Sequence, residues 1–320
     1  MQDFQIMTEA FLQALAAGLL GGALYGLMCV GLAIIFGIMR VINFAQGDFM
    51  MLGMYVTYYL FVMVGTQGLL GGTFGPYVAI LLAAPVMFAV GWLVHYFLIS
   101  RVSGHRVAGL DGGGHYAQLI LTLGIALVLQ NGAMMLFGPQ LQSIRTPLSS
   151  SAWEVGPLWG DSVSVFVNKG RGVATVISVI VIGLLALLIN RTRLGKSLRA
   201  AADNPTASTY MGVDVNGAYR IAFALGTCIT AVAGGLLSTN FPFHPFVGLE
   251  FVIIMYAGVV LGGIGSILGA FWGGMIIGLV QQLSSLVLPT QLQNAAIFVF
   301  FLLIVTLRPQ GLFGRVSERT

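Results

Sequence analysis

Residues 190–220 read NRTRLGKSLRAAADNPTASTYMGVDVNGAYR, a long polar interruption in an otherwise apolar chain. Positive charge gathers in it, on Arg191, Arg193, Lys196, Arg199 and Arg220. Asn204 suits a helix N-cap, Pro205 the first helical position, and Gly212 the left-handed residue beyond a helix end. These three residues predict a short helix over Pro205–Met211. Ala207, Tyr210 and Met211 fall at i, i+3 and i+4, so one face of it is apolar. So small a helix cannot bury that face alone. Either it folds back onto the bundle as a surface helix, or it docks a partner.

The flanking sequence fixes the class. Of 320 residues, 58% are hydrophobic and 8% charged, with a mean hydropathy of +0.95. Soluble domains carry about 25% charged residues, so this composition belongs in lipid. The 44 glycines permit close helix contact there. A net charge of +4, with its basic residues confined to loops, gives no stripe for nucleic acid. Cys29 and Cys228 lie in apolar stretches and read as small buried hydrophobes rather than as a disulfide or metal pair. No positive n-region precedes the first apolar segment, which is therefore expected to be retained.

About 20 apolar residues cross a bilayer as a helix. Nine stretches qualify as candidates: Phe11–Met39, Phe49–Gly65, Tyr77–Ile99, Tyr116–Phe137, Gly172–Ile189, Ile221–Thr239, Phe251–Ile264, Ile267–Leu288 and Leu292–Leu307. Eight or ten spans fit the same pattern. The first is overlong, so it is either tilted or interrupted near Gly21-Gly22. The expected architecture is an all-α integral membrane bundle, residues 1–320 forming one transmembrane domain, with broken helices and a weak inverted-repeat signal. Nine spans place the termini on opposite sides. With the C-terminus in the cytoplasm, the inside set is Arg40, Arg101, Arg106, Arg191, Arg193, Lys196, Arg199, Arg220, Arg308, Arg315 and Arg319. Arg145, Lys169 and Arg171 are outside. That asymmetry obeys the positive-inside rule. It makes 190–220 cytoplasmic and 138–171 external, and Trp153 and Trp159 in the external loop suggest an interfacial helix.

Polar residues inside spans are costly and point to function. RVINFAQGD, residues 40–48, separates the first two spans without a proline. It is either a short turn or a re-entrant segment whose freed backbone lines a path. A second Asn-Phe pair, Asn240-Phe241, follows the sixth span on the opposite side, as an inverted repeat would place it. Asn43, Gln46, Asp48, Gln130, Asn131 and Glu250 are the candidates to line or flank a solute path. Gln130, Asn131, Gln281 and Gln282 read equally as hydrogen-bonding glue between helices. His244 reads as a loop residue, and His95, His105 and His115 lack metal-ligand spacing, so no metal site is assigned. Asn190–Ser197 ends like a phosphate-binding loop but has Asn in place of its first glycine and follows a span, not a strand. No nucleophile–base pair or zinc-peptidase motif is present, so the chain is not expected to be an enzyme.

Four stretches together carry a resemblance: Gly31–Gly53 (GLAIIFGIMRVINFAQGDFMMLG), Leu194–Val215 (LGKSLRAAADNPTASTYMGVDV), Leu261–Gly274 (LGGIGSILGAFWGG) and Leu307–Gly314 (LRPQGLFG). Over nearly its whole length the chain is similar to permease subunits of branched-chain amino acid ABC transporters, of the shorter of the two types that pair. The resemblance implies an importer in a bacterial cytoplasmic membrane. Two permeases, expected as a heterodimer, would form the path, and two ATP-binding subunits would carry ATP and magnesium, with no cofactor on this chain. A periplasmic or extracellular binding protein would deliver the solute. The family's coupling segment maps onto Arg199, Ala200, Asp203, Asn204, Ala207, Met211 and Gly212, and Tyr210 lies within it. Gln46 stands where the family often has His, and Leu268 where proline is common. A stand-alone transporter or channel and a non-transporting membrane scaffold are the competing classes.

Overall fold

The computed structural model describes residues 2–63, 66–102, 113–158, 163–289, 292–308 and 310–314. Arg106, His105, Trp159, Arg315 and Arg319 lie outside them. Twelve helices and one hairpin follow in order: α1 Gln2–Met39, α2 Gln46–Met63, α3 Thr66–Val94, a π-turn over His95–Ile99, α4 Ser100–Val102, α5 Gly113–Phe137, β1 Ala152–Leu158, β2 Val163–Asn168, α6 Lys169–Arg191, α7 Arg193–Asp203, α8 Pro205–Tyr210, α9 Val215–Ser238, α10 Val247–Gly262, α11 Ile267–Ser284 and α12 Gln293–Leu307. Each of the nine expected spans coincides with a helix. Among the described residues, six helices are long and apolar enough to cross a membrane, while α10 and α12 are shorter apolar helices. The chain is a helical, multi-pass membrane protein.

α1 is the axis of the bundle. It runs unbroken for 38 residues, so Gly21-Gly22 is no interruption. Its glycines serve packing instead. Gly18, Gly22 and Gly26, four apart, meet Leu279, Met275 and Phe271 of α11, and Gly274 and Gly278 of α11 face back. A Cβ on Gly274 would lie 2.5 Å from the Gly26 nitrogen, and one on Gly22 2.9 Å from the Met275 Cα. In lipid, helix association rests on such close van der Waals packing rather than on hydrophobic transfer. The middle of α1, from Ala23 to Ile35, is almost wholly buried between α11 and α9. By contrast α3, α5, α6 and α12 expose Leu81, Ile120, Leu184 and Val299, as helices facing lipid or another subunit do.

The two ends of the bundle differ in what gathers there. At one end Arg40 reaches α7, and the 310–314 segment pairs with the end of α10 through Leu312 and Phe313 nitrogens on the Leu261 and Gly262 carbonyls. We call this the basic end. At the other, Arg171 lies over the Phe241 ring beside the hairpin.

The hairpin replaces the interfacial helix expected in 138–171. Its register pairs Ala152 with Asn168 and Val155 with Val165. Val163, Val165 and Val167 alternate with period two, which favours a strand over the tryptophan-based reading. The outer edge of β2 is closed by α1: the Gln13 side-chain amide donates to the Phe166 carbonyl (2.7 Å) and accepts from the Phe166 nitrogen (2.9 Å). Glu9 accepts from the Ser164 nitrogen at 3.3 Å.

Because the α1–α11 seam has backbone against backbone, Gly274→Val is expected to destabilise the bundle by about 1–3 kcal/mol, the cost of overpacking. The measurement is the thermal midpoint of the detergent-purified protein. Gly132→Val, where no neighbour lies within reach of a Cβ, should leave it within about 0.5 kcal/mol.

Candidate functional site

Two features stand out as functional, a broken-helix junction inside the bundle and a helical elbow at its basic end. At the junction, α1 ends at Met39 and Arg40 turns the chain with a φ of 54°. Residues 41–45 then run back into the bundle, so α2 begins level with the middle of α9. This is the re-entrant alternative, not the short surface turn.

Gln46 fixes that depth. Its amide donates to the Thr230 hydroxyl (2.6 Å) and the Gly226 carbonyl (3.3 Å) of α9, and accepts from the Asn43 amide (2.9 Å). The Asn43 carbonyl oxygen in turn accepts from the Ala45 nitrogen at 3.2 Å. Asn43 and Gln46 are fully buried. Two positions on, Asp48 accepts from the Gln130 amide of α5 at 2.9 Å, both residues being buried.

α10 starts at the same place. A Cβ on Gly248 would lie 2.7 Å from the Gly47 carbonyl and 2.8 Å from the Asp48 carboxylate. The two short helices therefore begin against each other and diverge, α2 toward the hairpin end and α10 toward the basic end. Each follows an Asn-Phe pair, Asn43-Phe44 and Asn240-Phe241. The second connector is pinned by a two-way backbone pairing of Gln142 with Phe243, at 2.9 and 2.8 Å.

The expected path residues thus divide. Asn43, Gln46, Asp48 and Gln130 form buried, hydrogen-bonded locks at the junction. Asn131 is exposed and bonds the Leu127 carbonyl of its own helix (2.8 Å). Glu250 is exposed on the first turn of α10, with its carboxylate 4.0 Å from His244. Gln281 reaches Asn294 of α12 at 3.4 Å, the interhelical glue expected of it.

The elbow contains more than the short helix read from sequence. α7 precedes it, an amphipathic helix that buries Leu198 and Ala201 and exposes Arg193 and Lys196. Its apolar periodicity was visible in RLGKSLRAAAD, masked by the density of charge. Thr192 caps it by accepting from the Gly195 nitrogen (3.1 Å). Gly195 lies so close to α6 that a Cβ there would be 2.5 Å from the Ile189 carbonyl carbon.

α8 forms as the capping residues predict. Asn204 accepts from the Ala207 nitrogen (3.0 Å), Pro205 opens the helix, and Gly212 has a φ of 81°. The helix ends at Tyr210, with Met211 as its C-cap. Its apolar face does not fold onto the bundle. Ser208 faces inward and donates to the Ala200 carbonyl (2.8 Å), while Tyr210 and Met211 are 85% and 84% exposed. Ala207 and Asp203 are exposed too, and Arg199 donates to the Asn190 side chain at 3.5 Å. A rigid, hydrogen-bonded elbow therefore presents an aromatic ring and a thioether to whatever lies beyond the basic end.

Residues 14–307 match the family model described as branched-chain amino acid transport system / permease component. The chain belongs to this permease family. It is 29% identical over 95% of its length to the high-affinity branched-chain amino acid transport system permease protein BraD of Pseudomonas aeruginosa, covering 96% of that relative. It is 28% identical over 95% of its length to LivH of Escherichia coli, another high-affinity branched-chain amino acid permease protein, covering 96% of it. A more distant likeness, 27% identical over 80% of the chain and 79% of the relative, is to the autoinducer 2 import system permease protein LsrD of Klebsiella pneumoniae. No solved structure matches the chain.

Replacing Gln46 by Leu leaves the Asn43 amide and the Thr230 hydroxyl without their partner. Thr230 can turn to the Gly226 carbonyl four residues back, so the loss is expected at about 1–3 kcal/mol, the cost of one buried unsatisfied group. Urea or thermal unfolding of the purified variant checks it, and Gln281→Leu, near the helix ends, should cost less.

Proposed function

We propose that this chain is the membrane-spanning subunit of an ATP-driven importer in the cytoplasmic membrane, and that the α7–α8 elbow is where the motor subunits engage it. The observation that carries the reading is the exposed Tyr210–Met211 pair on a helix whose cap, first proline, back-bond to α7 and left-handed glycine leave it no freedom to fold away. Two ATP-binding subunits would hold ATP and magnesium, leaving this chain without a cofactor. A second permease would complete the path, and an external binding protein would deliver cargo at the hairpin end. The basic end, and with it the C-terminus, would then be cytoplasmic, in accord with the positive-inside rule.

Branched-chain amino acids are the cargo we favour, because relatives named for them match almost the entire chain. Such a cargo is a zwitterion with an apolar tail. Its path needs polar groups that bind weakly, and broken helices place such groups at mid-membrane. The adjoining first turns of α2 and α10 would border that path; most of their nitrogens are bonded within the turns, with Asn43, Gln46, Asp48 and Gln130 holding the turns in place and Asn131 and Glu250 flanking the route. ATPase closure on the elbow would move α7. Arg40, whose guanidinium donates to the Ala202 carbonyl at 3.5 Å, would pass that motion to the junction.

Ala207→Arg places a long charged side chain on the exposed face of α8. It should abolish ATP-driven leucine uptake, measured with radiolabelled leucine in cells, while membrane insertion and expression stay normal. Asn204→Ala removes the cap, worth about 1 kcal/mol, and should lower uptake only partly. With Cys29 and Cys228 replaced by alanine, Tyr210→Cys should react with an impermeant maleimide only from the cytoplasmic face. Labelling from outside would invert the topology and end this assignment. Leucine flux in liposomes holding this chain alone would favour a secondary transporter instead.

A further inference from the structure

A cavity of about 1350 Å³ opens between the last turns of α1, the ends of α6 and α7, and the start of α11. Most of its wall is apolar, with Ile34, Ile182, Leu198 and Trp272 among the lining residues. The polar part includes Arg40 and Arg199, both solvent-exposed. Arg40 is the one non-glycine residue with positive φ among the described residues, a conformation that L side chains adopt rarely. That turn is what sends its side chain toward α7.

Among the described residues neither guanidinium forms an ion pair. Each has five N–H donors. Arg40 commits one to the Ala202 carbonyl and Arg199 one to the Asn190 side chain, both at the long distance of 3.5 Å. Among the described residues the ion pair formed is His244 with Glu250, at the hairpin end. Asp203 also lines the cavity, so two guanidiniums face one carboxylate, and Arg191, Arg193 and Lys196 on the adjoining elements keep the surrounding potential positive.

At about 1350 Å³ the cavity exceeds the roughly 300–1,000 Å³ of typical small-molecule pockets and has room for a headgroup and part of an acyl chain. Apolar walls below a cationic rim, at the end of a membrane bundle, fit an amphiphile with an anionic head. We propose that the cavity binds an anionic phospholipid of the adjacent leaflet. Its phosphate lies between Arg40 and Arg199, where guanidinium groups offer paired hydrogen bonds, and an acyl chain lies along Leu268 and Trp272. Basic pockets between membrane helices hold lipid headgroups in this way. The consequence is regulatory. Arg40 belongs to the α1–α2 junction and Arg199 to α7, so the headgroup bridges the elbow and the core, and anionic lipid tunes how firmly they are joined.

The inference rests on the proposed cytoplasmic orientation only for which leaflet supplies the lipid. The test uses the complete importer with its partner subunits, reconstituted in nanodiscs of phosphatidylethanolamine with or without phosphatidylglycerol. After extraction, native mass spectrometry should find phosphatidylglycerol retained on this subunit over phosphatidylethanolamine by about thirtyfold, the ratio expected for two basic side chains. The double variant Arg40→Gln and Arg199→Gln should lose that preference, whereas Arg193→Gln should keep it. Brominated phosphatidylglycerol should also quench wild-type tryptophan fluorescence more than that of Trp272→Phe. Equal retention of the two lipids, or a double variant that retains phosphatidylglycerol like the wild type, overturns the site. So does displacement of the lipid by leucine, which would make the cavity part of the solute route. Intact ATP-driven leucine uptake in that circumstance would show that the lipid site alone has failed and the importer reading has not.

Discussion

The buried amide of Gln46 sets the depth of everything around it. One side chain satisfies a threonine hydroxyl and a carbonyl on α9 and is itself bonded by Asn43. In a bilayer there is no water to replace these partners, so the start of α2 is held at mid-bundle by the cost of leaving any of them unpaired. From that fixed point the geometry of α10 follows, because Gly47 and Gly248 leave no room between the two helix starts. The locks give this arrangement permanence, and they do so with residues that looked from sequence like solute contacts. A buried polar group in a membrane protein must be satisfied before it can be used, and here satisfaction consumes most of the hydrogen-bonding capacity of Gln46 and half that of Asn43.

The division between core and periphery has the same origin. Helices α1, α9 and α11 pack through glycines, and their close approach creates dispersion contacts that lipid cannot match. Helices such as α6 and α12 stay at the edge and keep apolar side chains outward. An exposed leucine on α6 is no liability in lipid.

Much of this was legible in the sequence, and for physical reasons. Apolar runs of about 20 residues give spans regardless of packing, and the Asn204, Pro205 and Gly212 signals gave α8 to within one residue, because capping is local chemistry. Of the loop cations, Arg40 and Arg199 lie at α7 while Arg171 lies beside the hairpin. What stayed hidden depended on partners far along the chain. Gln46 and Thr230 are 184 positions apart, so nothing local said that the amide was a lock. The strand character of β2 is present in Val163, Val165 and Val167, but the aromatic residues of 138–171 point equally to the headgroup region when read alone. α7 was obscured because its charged face dominates a short stretch. The direction of the apolar face of α8 could not be read at all, since Ser208, not Ala207, turned out to be the residue that ties it down.

The unbroken α1 has a mechanical meaning. Thirty-eight residues at 1.5 Å each make a rod of about 57 Å, with Arg40 just past one end and Glu9 and Gln13 stitched to the hairpin near the other. A shaft without a joint cannot bend its two ends independently. A tilt imposed at the Arg40 end of this shaft reappears, reversed in sense about the glycine seam as a fulcrum, at the hairpin end, so the fold can carry movement from one end of the bundle to the other through a single rigid helix.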